Sequence, residues 1–175
     1  MADFAERIIR AIKLDPSLYE EVEADEQAME QALLVVLLSS LAAGAGSATH
    51  SFMVIVIGII SSLAGWFIWA YLTYWIGTKL LPEPQTQSNP KELLRVLGFA
   101  SAPGLLRVLG VFPFIRLLVF IIAAIWMIAA MVTAIRQALD YTSTARAILV
   151  CVIAWLIQVV VLAIFLSLVG YSGKV

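Results

Sequence analysis

The fold is decided by an uncharged stretch at residues 31–78, which reads QALLVVLLSSLAAGAGSATHSFMVIVIGIISSLAGWFIWAYLTYWIGT. A helix needs about 20 apolar residues to cross the hydrocarbon core of a bilayer. The 48 residues of this stretch are too many for one crossing and suffice for a hairpin of two. Small and polar residues cluster at 44–51, which places the turn there. We therefore predict two membrane spans, at about 28–46 and 53–81.

The composition of the whole chain supports a membrane location. Of its 175 residues, 62% are hydrophobic and 13% are charged, against roughly 25% charged residues in soluble domains. The mean hydropathy is +0.99. A core that 175 residues can form cannot hide this much apolar surface from water. The composition excludes a soluble globular domain, a disordered chain and a disulfide scaffold, and it predicts an all-α polytopic membrane protein.

Charged residues delimit the remaining spans, and one segment is ambiguous. The polar, proline-rich loop 82–91 must lie in water, and two further spans are predicted at about 113–135 and 146–170. In the segment 93–112, Arg95 and Arg107 are separated by 11 uncharged residues with Pro103-Gly104 between them. Both arginines can reach opposite interfaces, which permits a kinked span. A re-entrant hairpin that turns at Pro103-Gly104 is the alternative.

The distribution of charge predicts the orientation. Nine of the twelve acidic residues lie within residues 1–30, and the net charge of −1 indicates no nucleic-acid partner. With five spans and an internal N-terminus, eight basic residues are cytoplasmic and three are outside; with four spans the split is nine to two. Both arrangements follow the positive-inside tendency. We predict a multi-pass protein of the cell's inner (cytoplasmic) membrane with a cytoplasmic N-terminus and no cleavable signal peptide.

The N-terminal region forms a separate element in this interpretation. Phe4, Ile8 and Ile12 make an apolar stripe, which predicts an amphipathic interfacial helix over 1–15 that precedes a membrane domain over 16–175. Asp15 is suited to cap the next helix and Pro16 to begin it. If that helix ran without a break to Gly46, it would be about 46 Å long, and its acidic first third would project into the cytoplasm.

The sequence contains no catalytic constellation. It has one histidine, His50, which is interpreted as a polar turn residue, and one cysteine, Cys151, interpreted as a small apolar residue. No carboxylate lies deep in a predicted span, whereas proton-driven transporters usually need one. We therefore predict a protein that is not an enzyme and has no cofactor and no metal.

Small and polar residues within the spans are the candidates for contacts. Pairs of small residues at helical spacing permit close approach of helices. Gln158, the only amide at mid-bilayer depth, is a candidate for a hydrogen bond between helices. Arg107 and Arg116 either bind lipid phosphates or simply extend to the interface. The candidates for helix packing or partner contact are Ser40, Gly44, Gly58, Ser61, Ser62, Gly65 and Gln158.

One motif in the third span carries a resemblance. Within the stretch LRVLGFASAP (94–103), Gly98, Phe99 and Pro103 match a Gly-Tyr-x-x-x-Pro motif, with Phe in place of Tyr. Together with the order of elements over about 4–170, the chain resembles the Yip (Ypt/Rab-interacting protein) domain family of membrane proteins, in its short prokaryotic form. The resemblance implies five spans, a cytoplasmic N-terminus, an outside C-terminus and no known enzymatic activity.

The resemblance does not carry over a GTPase partner. Eukaryotic members of the family bind prenylated Rab GTPases in vesicle transport. This chain lacks their longer N-terminal domain and their Asp-Leu-Tyr-Gly-Pro motif, since the nearest stretch reads DPSLY (15–19). We expect contacts with membrane lipids and an integral membrane protein, most concretely as an accessory or scaffold subunit. The alternatives are a small transporter or channel, which needs a polar lumen, and a membrane-organising protein of the trafficking type.

Overall fold

A computed structural model describes the chain at residues 3–47 and 52–172. Within these ranges the regular structure is helical throughout. A π-helix, Ile76–Leu80, continues the fourth helix, and a 3₁₀ helix, Ala102–Val111, follows the fifth. The α-helices are α1 (Phe4–Ile12), α2 (Pro16–Ala24), α3 (Ala28–Gly46), α4 (Phe52–Trp75), α5 (Pro90–Phe99), α6 (Arg116–Ala138) and α7 (Thr144–Ser172).

Five segments in the described ranges are long and apolar enough to cross a membrane, and this confirms the predicted fold class. The third segment is the central one, with 67% of its most apolar window buried, whereas none of the corresponding window of the second is buried. The third therefore forms the middle of the bundle and α4 lies at its edge. The segments are Ala28–Gly46, Phe52–Leu80, Pro90–Val111, Arg116–Ala138 and Thr144–Val161.

The third segment begins within the stretch predicted as loop. The Asn89 side chain accepts hydrogen bonds from the backbone N–H groups of Lys91 and Glu92, and the Glu92 carboxylate accepts from the backbone N–H of Asn89. This reciprocal cap satisfies the free donors of the first turn. Pro90 occupies the first helical position, where its missing N–H costs nothing. The helix therefore starts at Pro90, three residues before the predicted boundary.

The third segment runs beside α3 along its whole length, and a re-entrant hairpin is wrong. A Cβ added to Gly98 would lie 2.7 Å from the Cβ of Ala32, and one added to Gly104 would meet the Ser39 hydroxyl. A Cβ added to Gly110 would lie 2.6 Å from the carbonyl oxygen of Gly46. These contacts advance along α3 in one direction, whereas a hairpin would return to the level of Ala32. We call this set of contacts the glycine seam.

The long helix considered for residues 16–46 does not form. α2 ends at Ala24, Asp25 has an extended backbone, and α3 begins at Ala28. The break allows α2 to pack against α5 and α6, which leaves Leu18 and Val22 with no exposed surface. Burial of apolar side chains favours this arrangement over a helix that projects into water. The acidic segment that was expected to project into the cytoplasm is thus folded back onto the bundle as α2.

The amphipathic pattern at the N-terminus does form a helix, α1. Phe4, Ile8 and Ile12 are partly buried against the core, one of the two environments expected for them. Arg7 lies outside this apolar stripe, yet it is only 4% exposed. That α1 lies on the inner leaflet remains a prediction.

Candidate functional site

An apolar cleft lies between α4 and the rest of the bundle. It consists of two cavities of about 520 and 460 Å³, each within the range of roughly 300–1,000 Å³ that is typical of small-ligand pockets. Four residues contributed by α3, α4, α6 and the α5 to 3₁₀ connection line both cavities, so the two cavities adjoin each other. The shared residues are Val36, Ser62, Ser101 and Met127.

The predicted small residues of α4 face this cleft or the outside. Gly58 lines the second cavity and Gly65 the first, and a Cβ added to either would meet nothing within 4 Å. Neither glycine therefore serves close packing within the described part of the chain. Ser62 lines both cavities, and Ser61 is exposed and also lines the second cavity.

The predicted small residues of α3 behave differently. A Cβ added to Gly44 would lie 3.4 Å from the Ile55 side chain, an ordinary contact with α4. The Ser40 hydroxyl donates to the carbonyl of Val36, one turn earlier, so it is satisfied within its own helix. Both residues also line the second cavity.

Gln158 and Trp69 are polar side chains that face the first cavity without a hydrogen bond to a described residue. Gln158 lines it, but the described residues offer its amide no partner, and the hydrogen bond between helices predicted for it is not formed among them. The Trp69 indole Nε1 is buried and also lacks a partner. The neighbouring Trp66 donates its indole N–H to the carbonyl of Leu94 at 3.0 Å and so ties α4 to α5.

Arg107 and Arg116 were both predicted to bind lipid phosphates or to extend to the interface. In the structure their environments differ. The Arg116 Nε donates to the carbonyl of Gly110 at 2.9 Å. Arg107 lines the second cavity, and its buried Nε has no hydrogen-bond partner. The Arg107 guanidinium carbon lies 5.9 Å from the centre of the Phe120 ring, which is within reach of a cation–π contact.

The residues of the third-span motif build the junction between α5 and the 3₁₀ helix. Gly98 permits the contact with α3 in the glycine seam, and Phe99 has no exposed surface. Pro103 stands at the start of the 3₁₀ helix, where proline cannot donate to the preceding α-helical turn. The motif residues do not line the cleft themselves. They pack behind Leu97 and Ser101, which do line it, and their role in the structure is packing.

A cluster of charges that was not predicted from the sequence joins α1, α2 and the start of α3. The nearly buried Arg7 donates from its guanidinium to the carboxylates of Glu21 at 2.9 Å and Asp25 at 2.8 Å. It also donates to the Gln31 side-chain oxygen at 2.9 Å. Hydrogen bonds that involve charged groups are the stronger kind. The available signal was the Asp15-Pro16 turn, which folds the basic face of α1 against the acids that follow.

The same cluster depresses the pKa of three carboxyl groups. Arg10 donates to both Asp15 and Glu21, and these hydrogen bonds are the largest cause that lowers the pKa of each carboxyl below its usual range. Hydrogen bonding from Arg7 lowers the pKa of Asp25 in the same way. All three groups therefore stay ionised at neutral pH.

Glu23 is the exception among these acids. Burial, and then the nearby carboxylates of Glu92 and Asp140, raise the pKa of Glu23 to about 7. The positive charge of Arg95 opposes this rise. The Glu23 carboxyl is thus a titratable group at neutral pH on the end of the bundle formed by α2 and the loops.

The loops after α4 and α6 meet at this end of the molecule. The Tyr141 hydroxyl donates to the carbonyls of Gly77 at 3.1 Å and Leu81 at 2.8 Å, and burial raises the pKa of Tyr141 to about 12. Glu83 pairs with Arg146 at 3.3 Å. These contacts hold the two loops together, and α4 ends there as a π-helix.

The described part of the chain brings no three His, Cys, Asp or Glu side chains into a metal-binding group. His50 lies outside the described residues. Cys151 is partly buried and lines the first cavity. The cleft can therefore hold an apolar or amphipathic molecule, and its lining offers no arrangement typical of catalysis.

Fold and cleft together define a polytopic α-helical membrane protein with an apolar cleft inside its span region. A family model described as the Yip1 domain matches residues 14–166. The chain therefore belongs to the Yip1 domain family, and the resemblance predicted from the third span is confirmed. This is a family of membrane proteins that is not known for enzymatic activity. No curated protein and no solved structure gives a significant match.

Proposed function

We propose that this chain is a non-enzymatic accessory or scaffold subunit that binds another integral membrane protein through the outward face of α4. Membership of a family that is not known for catalysis supports a non-enzymatic role. The position of α4 at the edge of the bundle, with none of its most apolar window buried, supports binding through the outward face of α4.

The observation that carries the proposal is a stripe along α4. Ile57, Ser61, Ala64 and Ile68 are all exposed, and their spacing of four, three and four residues places them on one face. In a membrane, helices associate by close packing, and small residues on a helix surface allow it. Ser61 and Ala64 are the two small residues of this stripe and lie between two isoleucines, an order that allows close approach of a neighbouring transmembrane helix. We call this stripe the α4 face.

The proposed location is the cell's inner (cytoplasmic) membrane, with a cytoplasmic N-terminus. The basic residues predicted to be cytoplasmic include Lys79, Arg136 and Arg146, which lie at the end of the molecule where the two loops meet. This arrangement follows the positive-inside tendency. The transporter and trafficking alternatives stay predictions.

The proposal is tested by photo-crosslinking in intact membranes. A benzophenone amino acid at position 61 is expected to form one defined adduct with an integral membrane protein. The same group at Ala163, an exposed small residue of α7, is the matched control and is expected to label lipid alone.

A second arm replaces the two small residues of the α4 face without adding a probe. The double variant Ser61→Leu and Ala64→Leu is expected to lose the protein crosslinked at position 61 from mild-detergent preparations, while Ala163→Leu retains it. Equal recovery of that protein with both variants would show that the α4 face is not the contact surface.

A further inference from the structure

We propose that the cleft binds one anionic phospholipid, whose phosphate contacts Arg107 and whose acyl chain lies along the apolar cavity. This goes beyond the proposed function, because it concerns a ligand in the cleft and not a partner protein. Ser61 of the α4 face also lines the second cavity, so the test uses Arg107 and Gly65, which do not belong to that face.

The first observation is the state of Arg107. All seven arginines of the chain lie in the described ranges, and Arg107 is the one that makes no hydrogen bond or ion pair with a described residue. Its Nε is buried without a partner. A buried donor without a hydrogen-bond partner is costly, and a charged residue within a membrane-spanning segment is a candidate for function. Arg107 therefore has a capacity to bind an anion that the described part of the chain does not use.

The second observation is that this chain has no anion to offer there. The acidic residues that follow residue 30 are Glu83, Glu92 and Asp140, and all three belong to the opposite end of the bundle. The carboxylates of Glu83 and Glu92 are bonded to Thr142 and Asn89 at that end. Phosphate is the anion that a membrane supplies at its interface, and arginine binds it with two parallel hydrogen bonds.

The third observation fixes the position of Arg107. A Cβ added to Gly46 would meet the carbonyl oxygen of Arg107, so the backbone of Arg107 is packed against the end of α3. Since α3 ends at this level, Arg107 lies at the mouth of the cleft and the first cavity lies deeper. This order matches a phospholipid, in which the phosphate stands at the interface and the acyl chain extends inward.

The dimensions of the cleft favour an acyl chain over a peptide. A transmembrane helix is about 10 Å across and 30 Å long, which is several times larger than the cavities of about 520 and 460 Å³. Apolar side chains dominate the first cavity, including Leu97, Ile128, Met131 and Val152. A single flexible hydrocarbon chain fits such a space.

The test measures lipid retention by native mass spectrometry of the purified, full-length protein. Dioleoyl phosphatidylglycerol and dioleoyl phosphatidylcholine are titrated separately, because they share acyl chains and differ in net charge. Wild type is expected to retain one phosphatidylglycerol and to bind it more tightly than phosphatidylcholine. Arg107→Gln is expected to weaken phosphatidylglycerol about tenfold, from the loss of a charge-assisted hydrogen bond, and Arg107→Lys is expected to keep most of the preference.

Two matched controls make the outcome specific. Arg116→Gln removes an arginine that is already bonded to Gly110 and is expected to change affinity less than twofold. Gly65→Phe fills the first cavity from a position where nothing lies within 4 Å, and it is expected to abolish retention of both lipids. Ala64→Phe adds the same side chain on the outward face and is expected to retain them.

Three results would overturn the proposal. The first is equal affinity of wild type and Arg107→Gln for phosphatidylglycerol. The second is an equal loss with Arg116→Gln, which would indicate lipid bound loosely around the bundle. The third is retention of a molecule without phosphate that Gly65→Phe displaces and Arg107→Gln does not. Size-exclusion profiles that match wild type are required of each variant, and Arg107→Lys and Gly65→Phe decide the matter if Arg107→Gln does not fold.

Discussion

Arg95 holds Val22 by a hydrogen bond across the bundle, from the guanidinium Nε to the backbone carbonyl oxygen at 2.9 Å. A second hydrogen bond runs from the same guanidinium to the carbonyl of Glu23. Val22 and Glu23 belong to the last turn of α2, where free carbonyls and the helix dipole favour a positive charge. Arg95 is only 6% exposed. It therefore couples the N-terminal helices to α5, the helix that carries the family motif.

Replacement of Arg95 by Met is expected to loosen α2 from the bundle. The carbonyls of Val22 and Glu23 would lose their donor, and an unsatisfied buried group costs about 1–3 kcal/mol. Hydrogen exchange of α2 amides should rise and the melting temperature in detergent should fall. Lys91→Met, at an exposed position of the same helix, is the control. Unchanged exchange in α2 of Arg95→Met would contradict this coupling.

The stability of the protein is expected to depend on the protonation of Glu23. Its folded-state pKa of about 7 exceeds its ordinary value of 4.5, so the folded state holds the proton more tightly. Stability from this group is therefore greatest at low pH and is lost as the pH rises from 4.5 towards 7. Glu23→Gln should raise the melting temperature at pH 8 more than at pH 5. A change in melting temperature that is equal at pH 5 and pH 8 in Glu23→Gln would refute this prediction.

The carboxyls of Asp15, Glu21 and Asp25 are expected to act in the opposite direction. Their folded-state pKa values are lowered, so the stability that they provide is present above their ordinary values of 3.8 and 4.5 and disappears as the pH falls below them. Acidification should release α1 before the bundle unfolds. Hydrogen exchange across α1 between pH 6 and pH 3 measures this release, and uniform protection down to pH 3 would exclude it.

The glycines of the spans are expected to differ in how much an alanine substitution destabilises the protein. Gly98→Ala would place a methyl group 2.7 Å from the Cβ of Ala32, and overpacking of this kind costs about 1–3 kcal/mol. Gly46→Ala would press on the backbone of Arg107. Gly65→Ala meets open space and should be neutral or stabilising, since alanine favours helix. Thermal unfolding in one detergent compares the three, and equal melting temperatures would contradict the glycine seam.

The orientation is tested by cysteine accessibility in a Cys151→Ser background. Cysteines at Gln87 and Asp140 should be labelled from the same side, because the Gln85 side chain donates to the carbonyl of Asp140 at 2.9 Å and the two loops meet. A cysteine at Gly173 should be labelled from the other side. If Gly173 shares the side of Gln87, the five-span arrangement in the membrane is wrong.

The spans could be predicted from the sequence because one physical rule decides them. Charged residues cannot lie deep in lipid, so the uncharged gap from Gln31 to Thr78 marks two crossings by itself. The start of α5 at Pro90 could also have been predicted, since Asn89 and Glu92 have the spacing of a capping box. The crossing of 93–112 was not decidable from charge alone, because it depends on what packs beside Gly98 and Gly110.

The cleft could not be predicted, because small residues look alike in a sequence. Gly58 and Gly98 both permit close approach of another helix, but only the fold decides that Gly98 meets Ala32 while Gly58 faces empty space. The burial of Arg7 was missed for a related reason. Its partners Glu21 and Asp25 lie 14 and 18 residues away, and no helical spacing connects residues so far apart.

The glycine seam has a consequence for which changes in chain length the protein can accept. Its contacts recur every six residues on one side, at Gly98, Gly104 and Gly110, and every seven on the other, at Ala32, Ser39 and Gly46. The two intervals match in space because a 3₁₀ helix rises about 2.0 Å per residue and an α-helix about 1.5 Å. Inserting or deleting one residue between Gly98 and Gly110 would bring side chains against backbone at every later contact. The loop 82–89 is held by hydrogen bonds of Pro82, Glu83 and Gln85, so residues inserted after Gln85 leave those contacts in place, whereas the buried segment must keep its residue count.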